Sequence, residues 1–141
     1  MLYKQSRENF REVFFKAWQK FKEHKPIEPL EAEIIEVIKH HPEYHSFIEN
    51  PDNIDKDFIA GITDHNPFMH LSMHLALREQ KITNRPPGIS QLYDNLVTKN
   101  QGDIHAVEHQ MIEVLADCLR KGMQSGQPVS DPDYLSALQK L

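Results

Sequence analysis

Histidine is the residue type in this chain that points most directly to chemistry. The sequence contains nine histidines among its 141 residues. Three pairs of them are spaced i, i+4, namely His41/His45, His70/His74 and His105/His109. Random placement would give roughly half of one such pair. On a helix, residues four apart lie about 40° from each other on one face, so their imidazoles can bind one metal ion together.

The middle pair lies in residues 66–80, the stretch around which we expect the rest of the chain to be organised. Asn66 is a suitable N-cap, and Pro67 suits the first helical position. Apolar residues then occur in nearly every direction around the axis, which predicts a helix buried on most sides. Buried imidazoles need a metal, a carboxylate or a backbone carbonyl as partner. The partner of His70 and His74 is therefore the main functional question.

A further histidine pair lies on a helix predicted over residues 104–121, the expected neighbour of the first. Two such pairs on packed helices supply four nitrogens, or three and an open position. The sequence thus predicts a site for a divalent transition metal, with zinc favoured and nickel or iron compatible. The predicted ligands are the two pairs His70, His74, His105 and His109. Additional ligands or orienting residues are Glu113, Glu108, His45 and His65.

A structural role for the histidines is the alternative. In that interpretation the protein is a non-enzymatic interaction or regulatory module, and neutral imidazoles bond to Glu108, Glu113 or main-chain carbonyls. Whether the protein is an enzyme stays open. Residues 105–109 match the inverted zinc-protease pattern His-x-x-Glu-His, but that chemistry needs a further carboxylate ligand downstream and a substrate-binding scaffold. Glu113 is the only glutamate after the motif, so a protease is not predicted.

The candidate ligands must be positioned by helices, because apolar residues recur with helical spacing along nearly the whole chain. Helices are predicted over residues 6–23, 30–40, 66–80, 89–97, 104–121 and 131–141, with a short one over 42–49. The predicted fold class is all-α. We expect a compact single-domain bundle of about five to six helices that spans residues 1–141.

Composition excludes several classes of function. The net charge of −5 and the pI of about 6.0 leave no basic footprint, so nucleic acid is not an expected partner. No apolar run approaches the roughly 20 residues that a membrane span needs, and no signal peptide is expected. The lone Cys118 suits a reducing compartment, so a cytoplasmic protein is predicted. A small-molecule or protein partner and self-association are left open.

Four stretches resemble a small proteobacterial family that is catalogued only as a domain of unknown function. They are His-Pro-Glu-Tyr-His at 41–45, the stretch from Asn to Ala at 66–76, Pro-Pro-Gly-Ile at 86–89, and residues 103–109. The likeness covers nearly the whole chain. It implies the four predicted histidine ligands as candidates, although the family commonly has glutamine at the position of Glu108. It also implies a bacterial cytosolic protein, and it supplies no activity.

Overall fold

Helices make up all the regular secondary structure in the described part of a computed structural model, which comprises residues 2–56 and 66–141. The seven α-helices are α1 (Leu2–Lys22), α2 (Pro29–Lys39), α3 (His45–Ile48), α4 (Pro67–Thr83), α5 (Ile89–Lys99), α6 (Ile104–Ser125) and α7 (Asp131–Gln139). Two 3₁₀ turns cover Pro42–Tyr44 and Pro51–Asp55. The all-α prediction is confirmed. The described residues contain seven helices rather than five to six, because Pro42 ends α2 and the chain restarts as the short α3.

The chain divides into two compact units, Met1–Leu75 and Ala76–Leu141. The division falls inside α4, so this helix contributes its first half to one unit and its second half to the other. The prediction that residues 1–141 form a single domain stays a prediction. No helix within the described ranges combines the length and the apolarity that a membrane span requires.

The core of the first unit lies between α1 and α2, which pack against each other. Phe14, Ala17 and Trp18 recur at helical spacing on α1 and are buried. The apolar side chains that complete this core are Ile34, Ile35, Val37, Ile38, Ile48, Phe68 and Leu71. The start of α4 is thus held by apolar packing from α1 and α2.

A buried cation also connects elements within the first unit. Arg11 is 6% exposed, and its Nη1 donates to the carbonyls of Ile54 at 3.1 Å and Lys56 at 2.7 Å. Its guanidinium carbon lies 4.4 Å from the ring centroid of Phe68. Arg11 therefore ties α1 to the end of the second 3₁₀ turn and to the first turn of α4.

The second unit is built around α6, which packs against α5 and α7. The helix begins where the Asp103 side chain accepts from the backbone N–H of Ala106 at 3.0 Å. It ends at Gly126, whose φ of 77° is the left-handed conformation that glycine adopts at helix C-termini. Its buried face carries Val107, Glu108, Met111 and Ile112. Glu108 is the one charged residue on that face, and its partners are described below.

Candidate metal centre

Three histidines of the first unit bring their Nε2 atoms together. Nε2 of His70 lies 3.0 Å from Nε2 of His41 and 3.2 Å from Nε2 of His74. The potential ligand nitrogens of the three residues all lie within 4.8 Å of one another. Nitrogens bound to one ion at about 2.0–2.1 Å are separated by about 2.8–3.0 Å at octahedral angles and about 3.3–3.4 Å at tetrahedral angles. The two distances from Nε2 of His70 therefore match those between ligands of a single metal ion.

The end of α2 positions His41. Pro42 begins a 3₁₀ turn directly after it, and the imidazole is only 2% exposed. Its Nδ1 lies 2.7 Å from the carbonyl oxygen of Val37. Since a carbonyl can only accept, Nδ1 must carry a proton and donate. In the neutral ring Nε2 then holds the lone pair and faces His70, which is how metal-bound histidines are commonly oriented.

The first turns of α4 position the other two imidazoles. The Oδ1 of Asn66 accepts from the backbone N–H of Met69 at 3.2 Å, which confirms Asn66 as the N-cap. His74 lies four positions after His70, and their ring centroids are 4.8 Å apart. His74 is 1% exposed and His70 is half-buried. The predicted i, i+4 pair is thus present, with one ring in the core and the other at its edge.

Hydrogen bonding alone does not account for this arrangement of nitrogens. A ring nitrogen carries either one proton or one lone pair, so it makes one good hydrogen bond. Nε2 of His70 nevertheless lies within 3.2 Å of Nε2 atoms on two other rings, His41 and His74. One proton can satisfy only one of these two contacts. A cation among the three nitrogens would accept all three lone pairs at once.

Tyr44 forms an aromatic wall beside the cluster. Its ring is parallel to that of His41, with centroids 5.5 Å apart and an interplanar angle of 4°. The same ring meets His70 edge to face at 5.9 Å. Burial, followed by the charge of Glu43, raises the pKa of the Tyr44 phenol. Tyr44 therefore stays neutral at physiological pH and restricts how far the two imidazoles can rotate.

His45 and His65 were the additional histidines predicted from the sequence. Nε2 of His45 donates to the carbonyl of Ile38 at 2.8 Å, and its ring lies 4.6 Å from that of Trp18. Because the nitrogen aimed at Ile38 is a donor, this imidazole caps α2 instead of joining the cluster. His65 lies outside the described residues.

Glu108, predicted as an additional ligand or orienting residue, takes part in a buried network of the second unit. It is fully buried in the second unit, and its Oε2 accepts from the Tyr93 hydroxyl at 2.6 Å and from Nε of Arg78 at 3.1 Å. Burial, and next the hydrogen bond to Glu108, raises the pKa of Tyr93 well above its ordinary value. The Tyr93 hydroxyl therefore remains a donor. The carboxylate belongs to a buried ion-pair network among α4, α5 and α6.

The remaining predicted residues lie on α6 of the second unit. The ring centroids of His105 and His109 are 4.1 Å apart, so this i, i+4 pair also shares one face of its helix. Glu113 is exposed and lines a surface groove with Asp117 and Cys118. Its position in this unit gives no support for the predicted metal contact.

His41 is the residue of the cluster that sequence reasoning missed. The sequence singles out His41 only as a member of the i, i+4 pair with His45. However, Pro42 breaks the helix between them, and the two imidazoles bond to different carbonyls of α2. The sequence feature that could have identified His41 is a histidine at the end of a helix, directly before a proline. The approach of His41 to α4 depends on tertiary packing, which the sequence pattern does not give.

Comparison with known proteins places the chain in a family without supplying an activity. No curated protein and no solved structure matches it. A family model described as "Domain of unknown function (DUF1841)" matches residues 6–140, and this agrees with the resemblance noted from the motifs. With nearly its whole length matched, the chain belongs to this family of unknown function.

Proposed function

We propose that this protein binds a divalent transition metal through the Nε2 atoms of His41, His70 and His74. The observation that carries the proposal is the pair of Nε2 contacts at His70, which one proton cannot satisfy. Imidazole ligands suit zinc, nickel and iron, and zinc is the metal we expect first. The carbonyl of Val37 supports the site by fixing the tautomer of His41.

A further ligand from α6 is predicted by the sequence and stays part of the proposal. His105 lies in the first turn of α6, after the N-cap Asp103. The positive end of the helix dipole disfavours a cation there. His109 lies one turn further along, where that effect has faded, and it is therefore the α6 residue that we test first. Each histidine is replaced by asparagine in turn, and the metal content is measured.

The number of protein ligands decides what the metal can do. Structural zinc sites are closed by four protein ligands, whereas catalytic zinc sites have three and keep a position for water or substrate. A site of three imidazoles alone would suit metal-assisted hydrolysis or group transfer. A fourth histidine would favour a structural metal that stabilises the fold. The ligand count from the variants therefore bears directly on whether the protein is an enzyme.

Elemental analysis of the protein purified without a polyhistidine tag tests the proposal. We expect about one metal ion per chain, from the binding of a single cluster of ligands. His41→Asn is the most informative variant, because the asparagine amide can still donate to Val37 while the Nε2 ligand is lost. His70→Asn and His74→Asn should also lose metal. A wild-type protein that takes up no added zinc, nickel or iron would refute the proposal.

His24→Asn is the matched control for these variants. His24 is exposed and has a φ of 57°, a left-handed conformation that asparagine tolerates better than most residues. The control therefore removes an imidazole by the same substitution without straining the backbone. Its metal content should equal that of the wild type.

The alternative function is a non-enzymatic interaction or regulatory module whose histidines are structural. The observation in its favour is that His41 and His45 both donate to carbonyls at the end of α2. Thermal unfolding with metal and with chelator distinguishes the two. Metal at a hundred times its Kd stabilises a folded protein by about 2.7 kcal/mol, which corresponds to roughly 5–10 °C in Tm for a chain of this size. If the histidines are purely structural, the Tm should be the same with metal and with chelator.

A further inference from the structure

The orientation of each imidazole in the cluster matters as much as the position of its nitrogen. A metal ion bound through the lone pair of a ring nitrogen lies in the plane of that ring. The three rings are steeply inclined, with angles of 79° between His41 and His70, 66° between His41 and His74, and 75° between His70 and His74. Three planes inclined in this way meet at a single point. Binding one ion through all three nitrogens therefore requires each ring to keep a defined orientation.

Tyr44 contacts two of these rings with one side chain. Its ring is parallel to that of His41, with an interplanar angle of 4°, and steeply inclined to that of His70, with an angle of 76°. Parallel and edge-to-face pairs with centroids about 4.5–7 Å apart are the arrangements that aromatic rings favour. Rotation of either imidazole out of its present plane would disturb its contact with Tyr44. One phenol ring thus restrains the planes of two of the three proposed ligands.

A local turn places Tyr44 beside His41. Pro42 begins this 3₁₀ turn, and its ring fixes the φ angle of the first turn residue. The backbone N–H of Tyr44 then donates to the carbonyl of His41 at 2.9 Å. His70 comes from a different element, the first turns of α4. Tyr44 therefore connects a ligand of its own turn with a ligand of another helix.

We propose that Tyr44 is a positioning residue of the metal site, whose ring keeps His41 and His70 in their metal-binding orientations before the ion arrives. The inference rests on the metal site proposed above and adds a residue that does not itself bind the ion. Without this ring, the two imidazoles would lose rotational freedom only when metal binds, and that cost would lower the affinity. Loss of a partner that orients metal ligands typically weakens metal binding by about 10–100-fold.

Two substitutions separate the ring of Tyr44 from its hydroxyl. The metal-free full-length proteins are titrated with Zn²⁺ in competition with a chromophoric chelator of known affinity. Tyr44→Phe keeps the ring that makes both contacts, so its Kd should stay within about twofold of the wild type. Tyr44→Leu keeps apolar bulk but removes the aromatic plane, and it should bind zinc about tenfold more weakly or worse. A loss of the same size in Tyr44→Phe would overturn the assignment of the role to the ring.

Phe21→Leu is the matched control. Phe21 is half-buried in the same unit, as Tyr44 is, and its ring packs against Trp18 at a centroid distance of 5.1 Å. The control therefore makes an aromatic-to-leucine change at a ring that contacts a different aromatic residue, and its zinc affinity should equal that of the wild type. Equal zinc affinities for Tyr44→Leu and Phe21→Leu would overturn the positioning role.

Urea unfolding of the metal-free variants separates positioning from general destabilisation. A variant that is more than about 99% folded binds with essentially its intrinsic affinity, because the apparent Kd rises only in proportion to the unfolded fraction. A tenfold loss in such a variant therefore reports the orientation of the ligands. If Tyr44→Leu does not fold, Tyr44→Met takes its place, since the flexible methionine side chain fills irregular gaps. The same loss of zinc affinity is expected from it.

The positioning role and the metal site fail in different ways. If the wild type binds zinc and the folded Tyr44→Leu protein binds it equally well, the role of Tyr44 is overturned and the metal site stands. If the wild type takes up no zinc, nickel or iron, the metal site itself is refuted.

Discussion

Replacing Glu108 with glutamine tests whether this buried carboxylate supports the fold or binds metal. The substitution keeps the volume and removes the charge. In the wild type, Oε2 accepts from Tyr93 at 2.6 Å and Nε of Arg78 at 3.1 Å, and Oε1 lies 3.4 Å from the same Nε. A glutamine oxygen at the Oε2 position can still accept from Tyr93 and Arg78, but the amide N–H₂ group then replaces Oε1 beside Nε of Arg78 as a mismatched donor, and the partly buried guanidinium loses its counter-charge.

The expected loss of stability depends on how deeply each partner of the Arg78–Glu108 ion pair is buried. Breaking a buried ion pair by removing one partner costs about 3–5 kcal/mol. The Glu108 side chain is completely buried, but that of Arg78 is 22% exposed, so water solvates part of the charge left behind. We therefore expect Glu108→Gln to lower the free energy of unfolding by about 2–4 kcal/mol. Tyr93→Phe keeps the ion pair and should cost about 1.5–2 kcal/mol.

Urea unfolding followed by far-UV circular dichroism measures these losses, and elemental analysis measures metal in the folded variants. Glu113→Gln is the matched control, since it makes the same substitution at an exposed position of α6 and should change stability by less than about 0.5 kcal/mol. Equal stabilities for Glu108→Gln and Glu113→Gln would refute the buried-charge reasoning. Full stability with lost metal would instead identify Glu108 as a ligand.

Three further predictions concern pH and a helix end. Burial raises the pKa of Tyr134 from 10.0 to about 12, so the unfolded phenol ionises first and stability should fall between pH 10 and 12. Tyr134→Phe should flatten that fall in urea unfolding. The hydrogen bond from Trp18 is the main cause of the lowered pKa of Glu49. Its contribution to the free energy of unfolding is fully present above pH 4.5 and is lost as the pH falls through the lowered pKa. Glu49→Gln should remove it, with Trp18 fluorescence as the readout. Gly126→Ala should cost about 1 kcal/mol in urea unfolding from backbone strain alone, because no atom lies within 4 Å of an added Cβ.

The helices could be predicted because their signals are local. Pro29 and Pro67 each occupy the first position of a helix, and Gly126 ends α6 in a left-handed conformation. Between these boundaries, apolar residues recur with the helical period. Local signals do not say which helices meet, so the sequence could identify the pair on α4 without identifying its partner.

His41 and Glu108 show why part of the site could not be predicted. His41 belongs to no helix, and it reaches His70 across 29 residues of sequence. Glu108 lies beside His109, and this made it a candidate ligand. It also accepts hydrogen bonds from Tyr93 and Arg78, which lie 15 and 30 residues away in the sequence. A periodicity argument compares residues on one helix, and both cases depend on contacts between elements.

Three of the nine histidines of the chain bond to the end of α2. Three successive carbonyls there lie within 2.8 Å of an imidazole nitrogen: Glu36 with His40, Val37 with His41, and Ile38 with His45. His41 has two roles in this arrangement, because its Nδ1 caps the helix while its Nε2 joins the cluster. The structural histidine and the proposed metal ligand are therefore the same residue, and substitution by alanine would remove both roles at once. His41→Asn separates them, since loss of metal with the helix content retained assigns the Nε2 role, whereas loss of both assigns the cap.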